Sequence, residues 1–339
     1  MKLKIFAALA LISATTSATG QTALPVTVDN FTRAETDTYF ATPVKQAGGT
    51  GRFFHYREPM SIDSQTVVRA NRDTLYSAAV VDLDAGPVTV SLPDAGNRFR
   101  SLIVINEDHY VVGDVEYRAG DYTYDKQKAG TRYILIGLRT LVDPGDPKDV
   151  EQVHALQDAG KISQAASGKF EVPSWDQASQ KKVRDALAVL GSTLPDFKHA
   201  FGSKEQVDPI RHLIGTATGW GGNPDKEAFY LNVTPPKNDG SAVHRLTVSD
   251  VPVDGFWSIS LYNAEGYFEK NEQNAYSLNN ITAKKSPDGS IAVQFGGCDG
   301  KVPNCLPIVK GWNYTVRLYR PRREVLDGTW KFPEAQPAS

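Results

Sequence analysis

The sequence predicts a mainly β protein, α+β overall, built as two antiparallel β-sandwich or jelly-roll-like units with a helical segment between them. Three observations carry this. Short runs of alternating apolar and polar residues, rich in Val, Ile, Thr and aromatics, recur between residues 74 and 142 and again between 228 and 320. Gly, Pro, Asn and Asp break those runs at short intervals. Between them, from near Asp143 to Thr216, the apolar period becomes helical. The chain has 339 residues, is 40% hydrophobic and holds 14 Tyr and 14 Phe, which is enough for two packed cores rather than one.

The elements follow in order. Lys2 and Lys4 precede the apolar run Ile5–Ile12 and the small-residue stretch Ser13–Gly20. This is the pattern of a cleavable signal peptide over residues 1–20, with cleavage after Gly20 (Ala18 at −3) or, alternatively, after Ala18 or Ala23. The run is too short to span a bilayer, which takes roughly 20 apolar residues, so the mature chain is expected to lack a transmembrane segment and to be periplasmic or secreted. Residues 21–147 form the first β unit. An arm or short helix, NFTRAETDTYF, leads in. TLYSAAVVDL then places Leu75, Ala79, Val81 and Leu83 on one face and Tyr76, Ala78 and Val80 on the other. GPVTVSLP, FRSLIVIN, the run from Tyr110 to Tyr124 and TRYILIGLRTLV continue the strands.

Residues 148–216 form the helical insert. SWDQASQKKVRDALAVLG is its clearest helix, with a capping box of Ser174 and Gln177, an apolar stripe through Val183 and Leu187, and Gly191 as its stop. Residues 217–339 form the second β unit. AFYLNVTPP, HRLTVSDVP, GFWSISLYN, SIAVQFGG and WNYTVRLYRP read as strands, and SPDGS as a tight turn.

Composition narrows the function. The chain carries 37 basic and 39 acidic residues with no basic stripe, so nucleic acid and anionic membrane surfaces are not expected partners. Both cysteines, Cys298 and Cys305, lie in FGGCDGKVPNCLP. Zinc needs further Cys or His nearby, a reactive thiol needs a local base, and neither is present. In an exported chain a disulfide is expected, closing a loop of about eight residues worth roughly 2.5 kcal/mol. No histidine pair has metal-ligand spacing, so no metal or cofactor is expected.

No G-x-S-x-G, H-E-x-x-H, P-loop or G-x-G-x-x-G motif occurs. Four clusters remain. RANRDTLYS places Asn71, Arg72 and Asp73 before a buried strand, as an Asx turn or as one polar wall of a pocket. INEDHYV places Glu107 and His109 on one face of a strand, or in a solvated hairpin turn. FHYREP, with His55, Arg57 and Glu58, reads as an exposed loop. The aromatics of the second unit, among them Trp220, Trp257 and Tyr262 with Asn271, serve a sandwich core or line a site for an organic ligand. Alternation puts Trp257, Ile259 and Leu261 on one face and Ser258, Ser260 and Tyr262 on the other.

NRDTLYSAAVVDLDAGPVTVSLPD resembles the opening motif of the domain of unknown function 1254. GWGGNPDKEAFYLN, VPVDGFWSISLYNAEGYFEKN, SLNNITAKKSPDGSIAVQFGG, NCLP and GWNYTVRLYRP resemble the domain of unknown function 1214. The pair covers most of the mature chain and implies two β-sandwich units with helices between them. It implies no established activity. The chain departs from the family in two places. Arg72 stands where relatives have a small or amide residue, and Cys305 stands where many have Trp.

The expected function is binding of a small organic ligand in a cleft between the two β units, lined by Asn71, Arg72, Asp73, Tyr76, Trp220, Trp257, Tyr262 and Asn271. If the protein is an enzyme, the expected class is hydrolase, with Asp73 or Glu107 as base and Arg72 stabilising negative charge. The alternative is a non-catalytic interaction or structural module of the cell envelope, which predicts a large exposed apolar patch instead.

Overall fold

The computed structural model describes residues 23–65 and 68–338. The leader expected over residues 1–20 lies outside them. The chain opens with α1 (Phe31–Ala47), which ends at Gly48 in the left-handed conformation that closes a helix C-terminus. There follow β1 (Phe54–His55), β2 (Thr74–Asp82), β3 (Val88–Leu92), β4 (Arg100–Asn106), β5 (Gly120–Tyr124), α2 (Lys126–Ala129), β6 (Tyr133–Leu141), α3 (Pro147–Ala159) and β7 (Lys161–Gln164). Two antiparallel sheets, ordered β1-β2-β6-β4 and β5-β3-β7, face each other. Ala79, Val81, Val90, Leu102, Val104 and Ile136 fill the space between them. The alternation read from TLYSAAVVDL holds, since Leu75, Ala79 and Val81 turn inward.

The middle segment is not all helix. β7 lies within residues 148–216 and pairs with β3, completing the first sandwich. Beyond it come α4 (Gln177–Gly191) and α5 (Pro209–Gly219), which share a small core with α1 through Phe31, Leu187 and Ile214. α4 starts later than the capping box predicts. Its cap is Asp176, whose carboxylate accepts from the Ser179 N–H, because a carboxylate at this position satisfies an orphan amide and favours the helix dipole. Gly191 is the stop expected and also a contact. It is the last residue of α4, and a Cβ there would sit 3.1 Å from Ile214 and 3.2 Å from Thr218 on α5.

The second unit contains β8 (Ala228–Val233), β9 (His244–Val248), β10 (Trp257–Tyr262), β11 (Ser277–Asn279), β12 (Ile291–Phe295), β13 (Cys305–Leu306), β14 (Asn313–Tyr319), α6 (Arg323–Leu326) and β15 (Gln336–Pro337). Its sheets run β11-β10-β14-β8 and β13-β12-β9-β15. Trp257, Ile259, Phe295, Trp312, Tyr314 and Val316 form the core between them. Cys298 and Cys305 are disulfide-bonded, with an S–S distance of 2.07 Å. The loop they close joins β12 to β13, a parallel pair, rather than the two arms of a hairpin. Among the described residues no helix is long and apolar enough to cross a membrane. Phe99 and Leu141 from the first unit meet Ala228, Phe256 and Tyr319 from the second in an apolar contact that joins the units.

Candidate functional site

Beside that apolar contact the two units meet through polar side chains, and the strand pattern explains why. β14 is buried on both faces. Tyr314, Val316 and Leu318 enter the second core, while Asn313, Thr315, Arg317 and Tyr319 face the first unit. Register extends this face sideways in rungs. Tyr230, Arg317, Ser258 and Asn279 are aligned across β8, β14, β10 and β11, and Asn232, Thr315, Ser260 and Ser277 form the next rung. Alternate residues of a strand point the same way, so two full rungs of polar groups form one surface. Most of it is out of water. Ser258, Ser260, Thr315, Arg317 and Asn279 are buried, whereas Tyr230 and Asn232 remain exposed.

The segment Arg69–Asp73, leading into β2, lies over this surface. Arg317 holds it there, with Nη2 donating to the Arg69 carbonyl at 2.7 Å and to the Tyr262 hydroxyl at 2.8 Å, and Nη1 donating to Ser260 Oγ at 2.8 Å. Tyr262 in turn donates to the Ala70 carbonyl at 2.7 Å. Arg69 takes a left-handed φ of 52°, sparsely populated for a residue with a Cβ. Its guanidinium donates to Asn313 Oδ1 at 2.5 Å and to Thr315 Oγ1 at 3.4 Å. The Asn71 amide reaches both units, with its nitrogen 3.0 Å from the Tyr76 hydroxyl and 3.2 Å from that of Tyr319. Its oxygen accepts from the Asp73 N–H at 2.9 Å, which is the Asx turn expected for this motif.

From the first sheet, Tyr76 and Arg139 are cross-strand neighbours pointing at the same surface. Arg139 lies 5.7 Å from the centre of the Tyr76 ring and donates to Asn223 Oδ1 and, at 2.9 Å, to the Gly221 carbonyl. Asn223 donates onward to the Tyr230 hydroxyl at 3.2 Å. An open groove of about 350 Å³ adjoins the seam, lined by Asp114, Tyr117, Lys226, Glu227 and Arg320 among others. There Tyr117 donates to Glu227 Oε2 at 2.5 Å, and the Arg320 guanidinium sits 4.6 Å over the Tyr117 ring.

The charges in the seam do not balance locally. Arg69, Arg139 and Arg317 donate to amide, hydroxyl and carbonyl oxygens, and among the described residues none of them forms an ion pair. The carboxylate among them is Asp73, fully buried, with Oδ2 lacking a hydrogen-bond partner. Burial pushes its carboxyl above the ordinary range, against the pull of Arg317, Ser258 and Asn279. Burial, and behind it the charge of Arg317, lowers the Arg69 guanidinium, whereas against burial the surrounding tyrosines raise Arg139 and, together with Asp73, raise Arg317. Burial also holds the Tyr319 phenol well above its ordinary value, so it remains a neutral donor and acceptor.

Asn71, Asp73, Tyr76 and Tyr262 therefore come together as expected. The other residues expected in the cleft sit elsewhere. Arg72, adjacent in sequence, points away to the Met60 carbonyl and over the Tyr276 ring at 5.5 Å, as alternation from Asn71 and Asp73 dictates. Trp257 belongs to the second core, packed edge-on against Phe332. Trp220 stacks on Tyr39 at 4.4 Å and donates to Thr36, anchoring α1. Asn271 closes its own loop through hydrogen bonds with the backbone of Ala275. Glu107 is buried in the first unit, accepting from the Tyr133 N–H at 2.9 Å and facing Arg33 at 3.5 Å. Its segment is neither strand nor solvated turn. β4 stops at Asn106, His109 has φ 63°, and His109 is itself buried, with Nε2 accepting from the Gly221 N–H at 2.8 Å. Among the described residues no group of three His, Cys, Asp or Glu is placed to hold a metal.

The residues not singled out as site candidates are Arg69, Arg139, Asn223, Tyr230, Arg317 and Tyr319. One signal could have found two of them, Arg317 and Tyr319. NYTVRLY alternates polar with apolar in a strand rich enough in aromatics to be buried on both sides, so its polar face needed a partner.

Family comparison agrees with the architecture. Residues 50–164 match the protein of unknown function DUF1254, and residues 234–323 match the protein of unknown function DUF1214. The fold resembles the crystal structure of the VPA0106 protein from Vibrio parahaemolyticus, with a TM-score of 0.70 at 16% identity, covering 92% of this chain and 98% of that one. It also resembles an uncharacterized protein from Burkholderia cenocepacia, with a TM-score of 0.50 at 14% identity, covering 87% and 84% of the two chains. At these identities the likeness concerns the fold alone. No curated protein matches the chain. The two matched segments take in more than half of the sequence, in that order, and the chain belongs to the family that joins a domain of unknown function 1254 to a domain of unknown function 1214.

Proposed function

We propose that this protein binds a small organic ligand in the seam between its two β units, and that it does so in the periplasm or outside the cell. The observation that carries the reading is the pair of polar rungs on the second unit's inner sheet, buried against Arg69–Asp73 yet reaching solvent at Tyr230 and Asn232. Buried polar surface is costly unless it is satisfied, and on this surface Asp73 Oδ2 and Ser258 Oγ lack well-formed hydrogen bonds although Ser258 lies beside the Asp73 carboxyl. A site that mixes tyrosine rings with a few fixed polar groups is the common chemistry of small-molecule recognition. The N-terminal basic, apolar and small-residue pattern and the disulfide support the location.

A hydrolytic reading has less support. Arg72, its charge stabiliser, is engaged away from Asp73, and Glu107, its alternative base, is engaged with the Tyr133 N–H in the first unit. The envelope-module reading has the three exposed apolar side chains Val189, Leu190 and Ile210 of α4 and α5 in its favour.

The test is native mass spectrometry of the chain purified from the periplasm, beside its Arg139→Gln and Tyr230→Ala variants. A co-purified small molecule present in the parent and lost from both folded variants supports the reading. A bare mass in all three, with protein partners recovered by pull-down, moves the function to the interaction module.

A further inference from the structure

We infer that the ligand of this seam is a small organic acid, whose carboxylate is received by the guanidinium groups of Arg69, Arg139 and Arg317. The inference rests on the seam being a binding site, as proposed above, and adds the chemical class. It follows from a comparison of acceptors. Elsewhere in the molecule three half-buried arginines meet carboxylates, Arg132 holding Asp82 at 2.8 Å, Arg98 holding Asp149 at 2.5 Å and Arg184 holding Glu35 at 2.5 Å. Arg72 meets a carbonyl, and the buried Arg100 stands without a partner among the described residues; the seam differs in gathering three such guanidiniums. In the seam, three guanidiniums meet neutral oxygens only. Hydrogen bonds to neutral groups satisfy N–H donors but leave the net charge uncompensated, and uncompensated charge away from water is expensive.

Asp73 does not supply the missing charge. It is one carboxyl among three guanidiniums, with an oxygen still unpartnered. A bound carboxylate accepts from planar guanidinium forks with good geometry and brings the negative charge the seam lacks. Access is from the side of Arg69, Tyr76 and Arg139, which are half-buried, and of Tyr230, which is exposed. The rings of Tyr76 and Tyr230 flank that approach and suit a planar body behind the acid group. The groove at Tyr117 and Glu227 adjoins it with a further arginine, Arg320, which among the described residues also has no ion pair.

The experiment is a thermal-shift and calorimetric titration of the full purified chain with benzoate, phenylacetate and succinate, each beside its uncharged amide. The expected result is saturable stabilisation by at least one acid and none by its amide, with affinity about 10- to 100-fold weaker in Arg69→Gln and Arg139→Gln. Both substituted residues are half-buried and leave the Arg317 network in place, and circular dichroism of each variant separates lost binding from lost folding. Amides binding as well as acids would overturn the anionic class and leave the seam as a site for neutral ligands. Acids binding equally well to both arginine variants would place them elsewhere and overturn the inference. No response to any acid would overturn it as well, and if the parent also purifies without a bound small molecule, the ligand-binding reading falls with it.

Discussion

The contact of α1 with α4 and the seam between the β units are both buried, both polar and both contain arginine, yet they are built differently. In the first, Glu35 on α1 accepts from Arg184 Nε at 2.8 Å and Nη2 at 2.5 Å and from Gln180 at 2.7 Å, so the charge on each side is answered. In the second, the charge of Arg317 disfavours that of Arg69, and both donate only to neutral acceptors. A closed network locks helices together. An open one is a surface poised for a charge it does not contain. The same residue type thus serves architecture in one place and recognition in the other, and the acceptor decides which.

The largest effect should come from breaking the closed network. Glu35→Ala leaves the Arg184 guanidinium without its carboxylate, and denaturant unfolding should show a loss of about 3–5 kcal/mol. A loss below about 1 kcal/mol would erase the distinction between the two regions.

The neighbouring Asp37 gives the closed region a pH signature. Burial foremost pushes its carboxyl up to about 6 from 3.8, although Trp175 donates to it. The folded protein therefore binds this proton more tightly than the unfolded chain. The associated stability is fully present below about pH 4 and is lost as pH rises to about 6, up to roughly 3 kcal/mol in all. Unfolding free energies measured between pH 4 and 7 should fall in the parent and stay flatter in Asp37→Asn. Parallel profiles would remove Asp37 as the cause.

The open region should respond weakly. Arg69→Gln and Arg139→Gln, in ligand-free protein, relieve uncompensated charge while sacrificing hydrogen bonds to neutral oxygens. Stability should change by less than about 1 kcal/mol in either direction. A loss as large as that of Glu35→Ala would make these arginines structural. Smallest of all should be Ser258→Ala, because the hydroxyl is buried beside Asp73 without a well-formed hydrogen bond. Its removal should be neutral or slightly stabilising, within about 0.5 kcal/mol, by the same measurement.

Much of this was legible residue by residue. The period-two pattern of TLYSAAVVDL marked both faces of β2, and the polar set Ser258, Ser260 and Tyr262 was separable from the core set Trp257, Ile259 and Leu261. The Asx turn at Asn71 and Asp73 was visible because it is local, and the disulfide because its two cysteines lie seven residues apart in an exported-looking chain. The misplacements share a cause as well. Arg72 and Trp257 lie beside true seam residues in sequence, but strand alternation and a tight turn send neighbours in opposite directions. Glu107 and Trp220 carry suitable chemistry but spend it on Tyr133 and α1.

By itself the sequence determined the β-rich class, the strand periods, the helical interlude and the family, because these rest on interactions among residues close in the chain. Only the tertiary structure decided that Arg317 would lie under Arg69, that Arg139 would meet Asn223, and that β7 would return to β3. Those pairings span tens to hundreds of residues. Which polar face meets which is settled by how two sandwiches dock, through the apolar contact of Phe99, Phe256 and Tyr319, and local pattern holds no record of that geometry.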